Sequence, residues 1–237
     1  MISKTRLLAL VKALDRNAVE RGLDENPTLL GHRDERGRNW LHVCCGVNVP
    51  GRPKRQVSAA IELATLLLDR GLGLDTPAFT EGEWQATPLW YAVSRGRNLA
   101  LAECLLQRGA NPNHCLWAAA FCNDLDAIRL LVAHGADIDP VVEDETPFLG
   151  AIKWSHFAAA ETLLDLGANV DVRDRKGMTA LHYMLAKNSD LKHFRMMARH
   201  GARGDIPNGK GITAAEVMSR KRAPVFRALA GQLARCT

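Results

Sequence analysis

One phrase recurs along the chain: a leucine-rich stretch, then Gly-Ala, then a polar turn. It appears as CLLQRGANPN (Cys104–Asn113), LLVAHGADID (Leu130–Asp139), TLLDLGANVD (Thr162–Asp171) and MMARHGARGD (Met196–Asp205). A worn copy, TLLLDRGLGLD, covers Thr65–Asp75. The glycines Gly71, Gly109, Gly135, Gly167 and Gly201 are separated by 38, 26, 32 and 34 residues. Self-similarity at a period of about 20–50 residues is the mark of stacked architectures, because one such unit cannot bury its apolar face alone.

A second phrase alternates with the first. It reads ATPLWYAV (Ala86–Val93), ETPFLGAI (Glu145–Ile152) and MTALHYML (Met178–Leu185), with degenerate forms NWLHVCC (Asn39–Cys45) and CLWAAA (Cys115–Ala120). Together the phrases predict helix pairs. Threonine accepts a bond from an orphan N–H as an N-cap, and the following proline suits the first turn, where its missing N–H costs nothing. The second helix carries apolar residues at i, i+3 and i+4 spacing, as in Leu99, Leu101, Cys104 and Leu105. It stops at a glycine able to adopt the left-handed conformation.

The chain therefore resembles the ankyrin repeat family, whose unit is a β-turn and two helices of about 33 residues with a T-P-L-H-x-A signature. Arg173–Asp205 is the best copy, with Asp174, Gly177, Thr179, Leu181, His182, Gly201 and Ala202 in pattern. The resemblance covers about 33–230 and implies an all-α solenoid of stacked helix-turn-helix units with short β-hairpin turns, five to six repeats in all. The expected organisation is a pair of N-terminal capping helices over 1–32 and a first repeat over 33–77 with an inserted loop at 46–58. Repeats at 78–113, 114–141, 142–172 and 173–206 follow, and a capping repeat fills 207–237. The repeat at 114–141 lacks its hairpin, since its 26-residue gap is too short to hold one. Trp40 stands where the pattern has proline. The resemblance also gives His42 and His182 a structural hydrogen-bonding position.

Composition excludes bulk disorder: of 237 residues, 47% are hydrophobic and 24% charged. Net charge is only +5, and the basic runs Arg52-Pro53-Lys54-Arg55 and Arg220-Lys221-Arg222 are read as solvated surface, so nucleic acid is not the expected partner. Twenty-two arginines against nine lysines suggest a GC-rich, bacterial genome. The six cysteines, Cys44, Cys45, Cys104, Cys115, Cys122 and Cys236, form no CxxC pair, and most lie in apolar runs. With no signal-peptide core and no apolar run of about 18 residues, the expected setting is reducing, cytoplasmic and away from membranes. Export as an effector stays open.

Motifs for catalysis are absent: no GxSxG, HExxH, GxGxxG or GxxxxGK[ST] occurs. Asn208-Gly209-Lys210-Gly211 resembles a phosphate loop only faintly and falls in a repeat turn. Ser155-His156 is read as the turn between two helices. Cys115 and Cys122, seven apart, are placed on one face of one helix as core. No enzyme activity, cofactor, metal or small-molecule substrate is expected.

The remaining expectation is binding of another protein, whose identity the residues do not give. The resemblance implies a concave face built from hairpin tips and the ends of first helices. In successive copies those ends are Ser94-Arg95, Phe121-Cys122, Lys153-Trp154 and Ala186-Lys187. The candidate contact residues are Trp84, Arg95, Phe121, Lys153, Trp154, Arg175 and Lys187. Aromatic residues and arginine dominate binding energy at interfaces. The absent hairpin leaves two options for Trp117 and Phe121: exposure, or filling the gap. Self-association through the same face is an open alternative. So is a bacterial effector, immunity or accessory protein that binds and modulates an enzyme, and, more remotely, a nucleic-acid or acidic-ligand binder.

Overall fold

The computed structural model describes residues 1–51, 53–81, 84–142 and 144–234. Its helices are α1 (Lys4–Lys12), α2 (Arg16–Glu25), α3 (Trp40–Cys45), α4 (Lys54–Asp69), α5 (Pro88–Tyr91), α6 (Leu99–Gln107) and α7 (Leu116–Phe121). They continue as α8 (Leu125–Ala133), α9 (Pro147–Trp154), α10 (Phe157–Asp165), α11 (Ala180–Ala186), α12 (Leu191–Arg199), α13 (Ala214–Ser219) and α14 (Pro224–Leu233). One antiparallel hairpin, β1 (Thr80–Glu81) with β2 (Trp84–Gln85), pairs Thr80 with Gln85. Short bridges join Val142 to Glu145 and Pro207 to Thr213. The fold class is the expected one, an all-α solenoid of stacked helix pairs. The chain forms two compact units, Met1–Ala118 with Ala133–Ala136, and Ala119–Val132 with Asp137–Thr237.

In the first unit the helix starts follow capping chemistry. Ser3 accepts from the N–H of Arg6, Asp15 from that of Ala18, and Thr87 from that of Trp90. Asn39 caps α3, and its own N–H donates to Nδ1 of His42, 3.2 Å away. The far nitrogen of His42 lies 2.8 Å from the carbonyl of Thr76. His42 thus ties the start of one helix to the loop entering the next copy. Trp40 is buried, and its indole N–H donates to the Leu29 carbonyl at 2.6 Å. The insertion expected as a loop over 46–58 is shorter: helix α4 begins at Lys54. Pro53 supplies the fixed φ of a helix entrance, and the helix formers Lys54, Arg55 and Gln56 follow it. The leucines Leu63, Leu66 and Leu67 of α4 are buried.

The second unit repeats the scheme. Thr146 caps α9 through the N–H of Leu149, with Pro147 in the first turn. Thr179 and His182 cap each other, and the other nitrogen of His182 reaches the Ile212 carbonyl at 3.0 Å. Thr213 and Glu216 form a reciprocal box. Phe148, Leu163, Leu181, Met184, Phe194 and Met197 fill the core between the helix pairs.

The recurring Gly-Ala phrase has a distinct job at each residue. All five glycines have positive φ, from 75° at Gly201 to 100° at Gly167, and a Cβ at any of them would meet nothing within 4 Å. The requirement is conformational, not steric. Two residues on, Asn111, Asp137 and Asn169 each accept from the backbone N–H two residues further. The closing aspartates reach the following copy: Asp75 accepts from Asn111 N–H in the first unit, and in the second Asp139 accepts from Asn169 and Asp171 from Arg203, each at 2.9 Å. In these three places one side chain ties a copy to its neighbour.

Candidate functional site

Inner helices of these pairs end at residues with positive φ that are not glycine: Arg97, Asn123, Ser155 and Asn188. In the second unit Phe121, Trp154 and Lys187 lie one or two residues before these stops. Phe121 is 57% exposed. Its ring stands edge-on to the half-buried Trp154 indole, with centroids 4.8 Å apart and planes at 89°. Trp117 is half-buried. In the next copy the ammonium of Lys187 donates to the Lys153 carbonyl and lies 3.3 Å from Ser155 Oγ. Past that, Lys221 reaches Asn188 Oδ1 at 3.5 Å. Phe121 thus touches Trp154, Lys187 reaches the residues on either side of Trp154, and Lys221 reaches the residue after Lys187.

Lys153 does not present its charge to this face. It is 20% exposed and pairs with Glu145 and Asp174, with its ammonium 4.5 Å above the Tyr183 ring. The Tyr183 hydroxyl donates to Asp174 Oδ2, while the N–H groups of Lys176 and Met178 donate to Oδ1. Burial opposes ionisation throughout. For Asp174 the donated bonds and the Lys153 charge outweigh it, and its carboxyl is held below the usual range. For Lys153, burial lowers and the Glu145 carboxylate and Tyr183 raise, and the raising contributions win. Lys153 therefore acts as an internal strut. Sequence reasoning missed Asp174 and Tyr183 as its partners. The available signal was that Asp174 opens a tip, as Asp34 and Asn208 do, each accepting from N–H groups two and four residues on.

Arg175 is exposed at the tip of the 173–177 turn, next to exposed Lys176. In the first unit Arg95 is exposed, and its carbonyl accepts from Asn48. Trp84 lies in β2 with its side chain outside the described residues, as do Arg52, Glu83 and Cys236. Cys115 and Cys122 flank α7 instead of lying on it, because α7 spans only Leu116–Phe121. Burial pushes the Cys115 thiol up to about 12, which leaves it an inert core group. Cys44, Cys45, Cys104 and Cys115 are free thiols. Ser155 terminates α9, and His156 Nδ1 lies 3.2 Å from the Ala120 carbonyl, so the pair is a turn. Among the described residues no three His, Cys, Asp or Glu side chains gather as metal ligands. No helix among them is long and apolar enough to cross a membrane.

A sequence model of the family described as "Ankyrin repeats" matches three times, over residues 56–144, 89–174 and 116–210. The chain is 38% identical over 79 residues to the Arf-GAP with coiled-coil, ANK repeat and PH domain-containing protein 2 of Gallus gallus, a match covering 32% of this chain and 10% of that protein. It is 36% identical over 102 residues to ankyrin repeat and SOCS box protein 6 of Mus musculus, covering 38% and 24% respectively. The chain thus spans between a tenth and a quarter of these relatives. Among solved structures, the ankyrin repeat domain of Bcl-3 superposes with a TM-score of 0.73 at 21% identity, covering 94% of this chain and 96% of that one. An ankyrin repeat domain from Acinetobacter baumannii AYE gives 0.64 at 22% identity, covering 85% and 100%.

Proposed function

Since the chain belongs to the ankyrin repeat family, we propose that it is a non-enzymatic module that binds another protein. The observation carrying this reading is Phe121, a large aromatic ring 57% exposed and braced edge-on by Trp154. An apolar ring held rigidly in water gains most from being covered by a partner, and little entropy is lost in ordering it. The binding face runs from Phe121 through Trp154 to Lys187, with Arg175 at the adjoining tip. In the first unit Arg95 offers the corresponding position. Lys153 is withdrawn from this set and serves to hold Trp154's helix in place. The expected interface buries about 1,200–2,000 Å² in total.

The test is affinity capture from a lysate of the source organism, with wild type beside Phe121→Ala/Trp154→Ala, at two salt concentrations. A protein enriched by the wild type and lost with the double variant supports the reading. A partner retained equally by both baits places the site elsewhere. Nucleic acid recovered by both baits at low salt only would move the function to the basic runs.

A further inference from the structure

The second unit is electrically lopsided. Between residues 119 and 172 there are ten acidic residues and two basic ones; between 173 and 234 there are four acidic and thirteen basic. In the basic half the acids are already engaged: Asp174 with Lys153, Asp190 with Lys192, Asp205 with Arg203, and Glu216 with the N–H of Thr213. The cations Arg175, Lys176, Lys187, Lys210 and Arg220 form no ion pair among the described residues.

Two chains of contact arrange these charges in rows. One follows the helix ends: Phe121 meets Trp154, Lys187 reaches the Lys153 carbonyl and the Ser155 hydroxyl on either side of Trp154, and Lys221 reaches Asn188. The other joins neighbouring tips: the N–H of Gly209 donates to the Lys176 carbonyl at 2.8 Å, and Arg173 donates to the Pro207 carbonyl at 3.1 Å. Lys176 and Lys210 therefore sit on adjacent, hydrogen-bonded tips. The first row passes from the acidic half into the basic half, with the aromatic pair at its acidic end, and the second lies within the basic half.

Resting on the binding face proposed above, we propose that the partner contributes an acidic segment of protein chain with an apolar anchor at one end. The anchor covers Phe121 and Trp154, and the following carboxylates lie along Lys176, Lys187 and Lys210. A nucleic acid fits this pattern poorly. Its phosphates are uniformly charged along its length whereas this unit's charge changes sign, and bases prefer aromatics interleaved with the cations. A polypeptide can change character along its length and match both ends.

The test uses the full chain and fluorescein-labelled 14-residue synthetic peptides read by anisotropy. One set carries a Leu-Phe anchor beside a run of Glu and Asp, in both chain directions. Controls replace the anchor by Ser-Ser or the acids by Lys, and a 14-nucleotide single-stranded DNA is titrated alongside. The expected result is that one anchored acidic peptide binds at least about tenfold tighter than either control and the DNA. Lys176→Glu/Lys210→Glu should weaken it by about tenfold, and Phe121→Ala by a similar factor. Failure of both acidic peptides to bind, or tighter binding of the lysine peptide or the DNA, overturns the proposal. Binding that ignores the lysine reversals but is lost with Phe121→Ala overturns the acidic partner and leaves the aromatic face standing. Binding that needs the lysines but ignores both aromatics overturns the aromatic face itself. Sedimentation showing a dimer that Phe121→Ala dissociates would make a second copy the occupant and overturn the proposal.

Discussion

Lys153 holds its ammonium 4.5 Å above the ring of Tyr183, and both side chains converge on the carboxylate of Asp174. Three segments of the second unit meet there: the end of α9, the tip at 173–177 and the middle of α11. The Asp174 side chain is only 6% exposed, so removing a partner leaves a charge that water cannot fully reach.

Lys153→Met is therefore expected to cost about 1–3 kcal/mol, more than a typical surface ion pair. A double-mutant cycle with Asp174→Asn should return a coupling of at least about 0.5 kcal/mol. Urea unfolding of the four chains measures both. A Lys153→Met variant as stable as wild type would show that Lys153 is a solvated cation and restore it to the binding face.

His42 gives a pH dependence. Burial, opposed by the carbonyl of Thr76, drops its pKa from 6.5 to about 4. The unfolded chain thus binds a proton that the folded chain refuses between those values. Stability from this group is full above pH 6.5 and falls as pH falls towards 4, by roughly 1.4 kcal/mol per unit at most. Comparing unfolding free energies of wild type and His42→Gln at pH 7 and pH 4.5, the wild type should lose about 2–3 kcal/mol more across that window. Parallel curves would mean that His42 is protonated in the folded chain.

The helix framework was legible because its signals are local. Thr146-Pro147, Thr179 with His182, and the glycines after each second helix act within a few residues of themselves. Phe121 and Trp154 were legible as helix-end residues too, since the repeat period sets Phe121 in register with Lys153 and Trp154 with Lys187. The fate of Lys153 was not. Its partners Asp174 and Tyr183 come from the following copy, and no local pattern says whether a cation at a helix end faces water or a neighbour's carboxylate. Cys115 and Cys122 misled for a related reason: apolar spacing of seven suggested one helix, but His114 and Asn123, both at positive φ, bound it on either side.

Gly167 separates conformation from space. Its φ is 100°, yet a Cβ there meets nothing within 4 Å. Gly167→Ala should cost about 1–2 kcal/mol through backbone strain alone. Gly167→Asn should cost less despite its larger side chain, because Asn tolerates the left-handed region. Thermal melts of the two variants decide this. Should Asn prove worse than Ala, size and not φ would govern the position.

Phe121 and Trp154 should differ in how they respond to truncation. Phe121 is 57% exposed, so Phe121→Ala removes little buried surface and should change stability by under about 1 kcal/mol. Trp154 is half-buried, with Phe121 on one side and the His156 ring 6.2 Å away, so Trp154→Ala should cost more, about 1–3 kcal/mol. Either change should weaken partner binding by about 1–3 kcal/mol, Phe121→Ala without loss of fold. Circular-dichroism melts and titration of the captured partner separate the two effects. The Phe121 result is the sharper one, because an exposed ring with no stability role and no binding role would have no physical reason to stand in water edge-on to an indole.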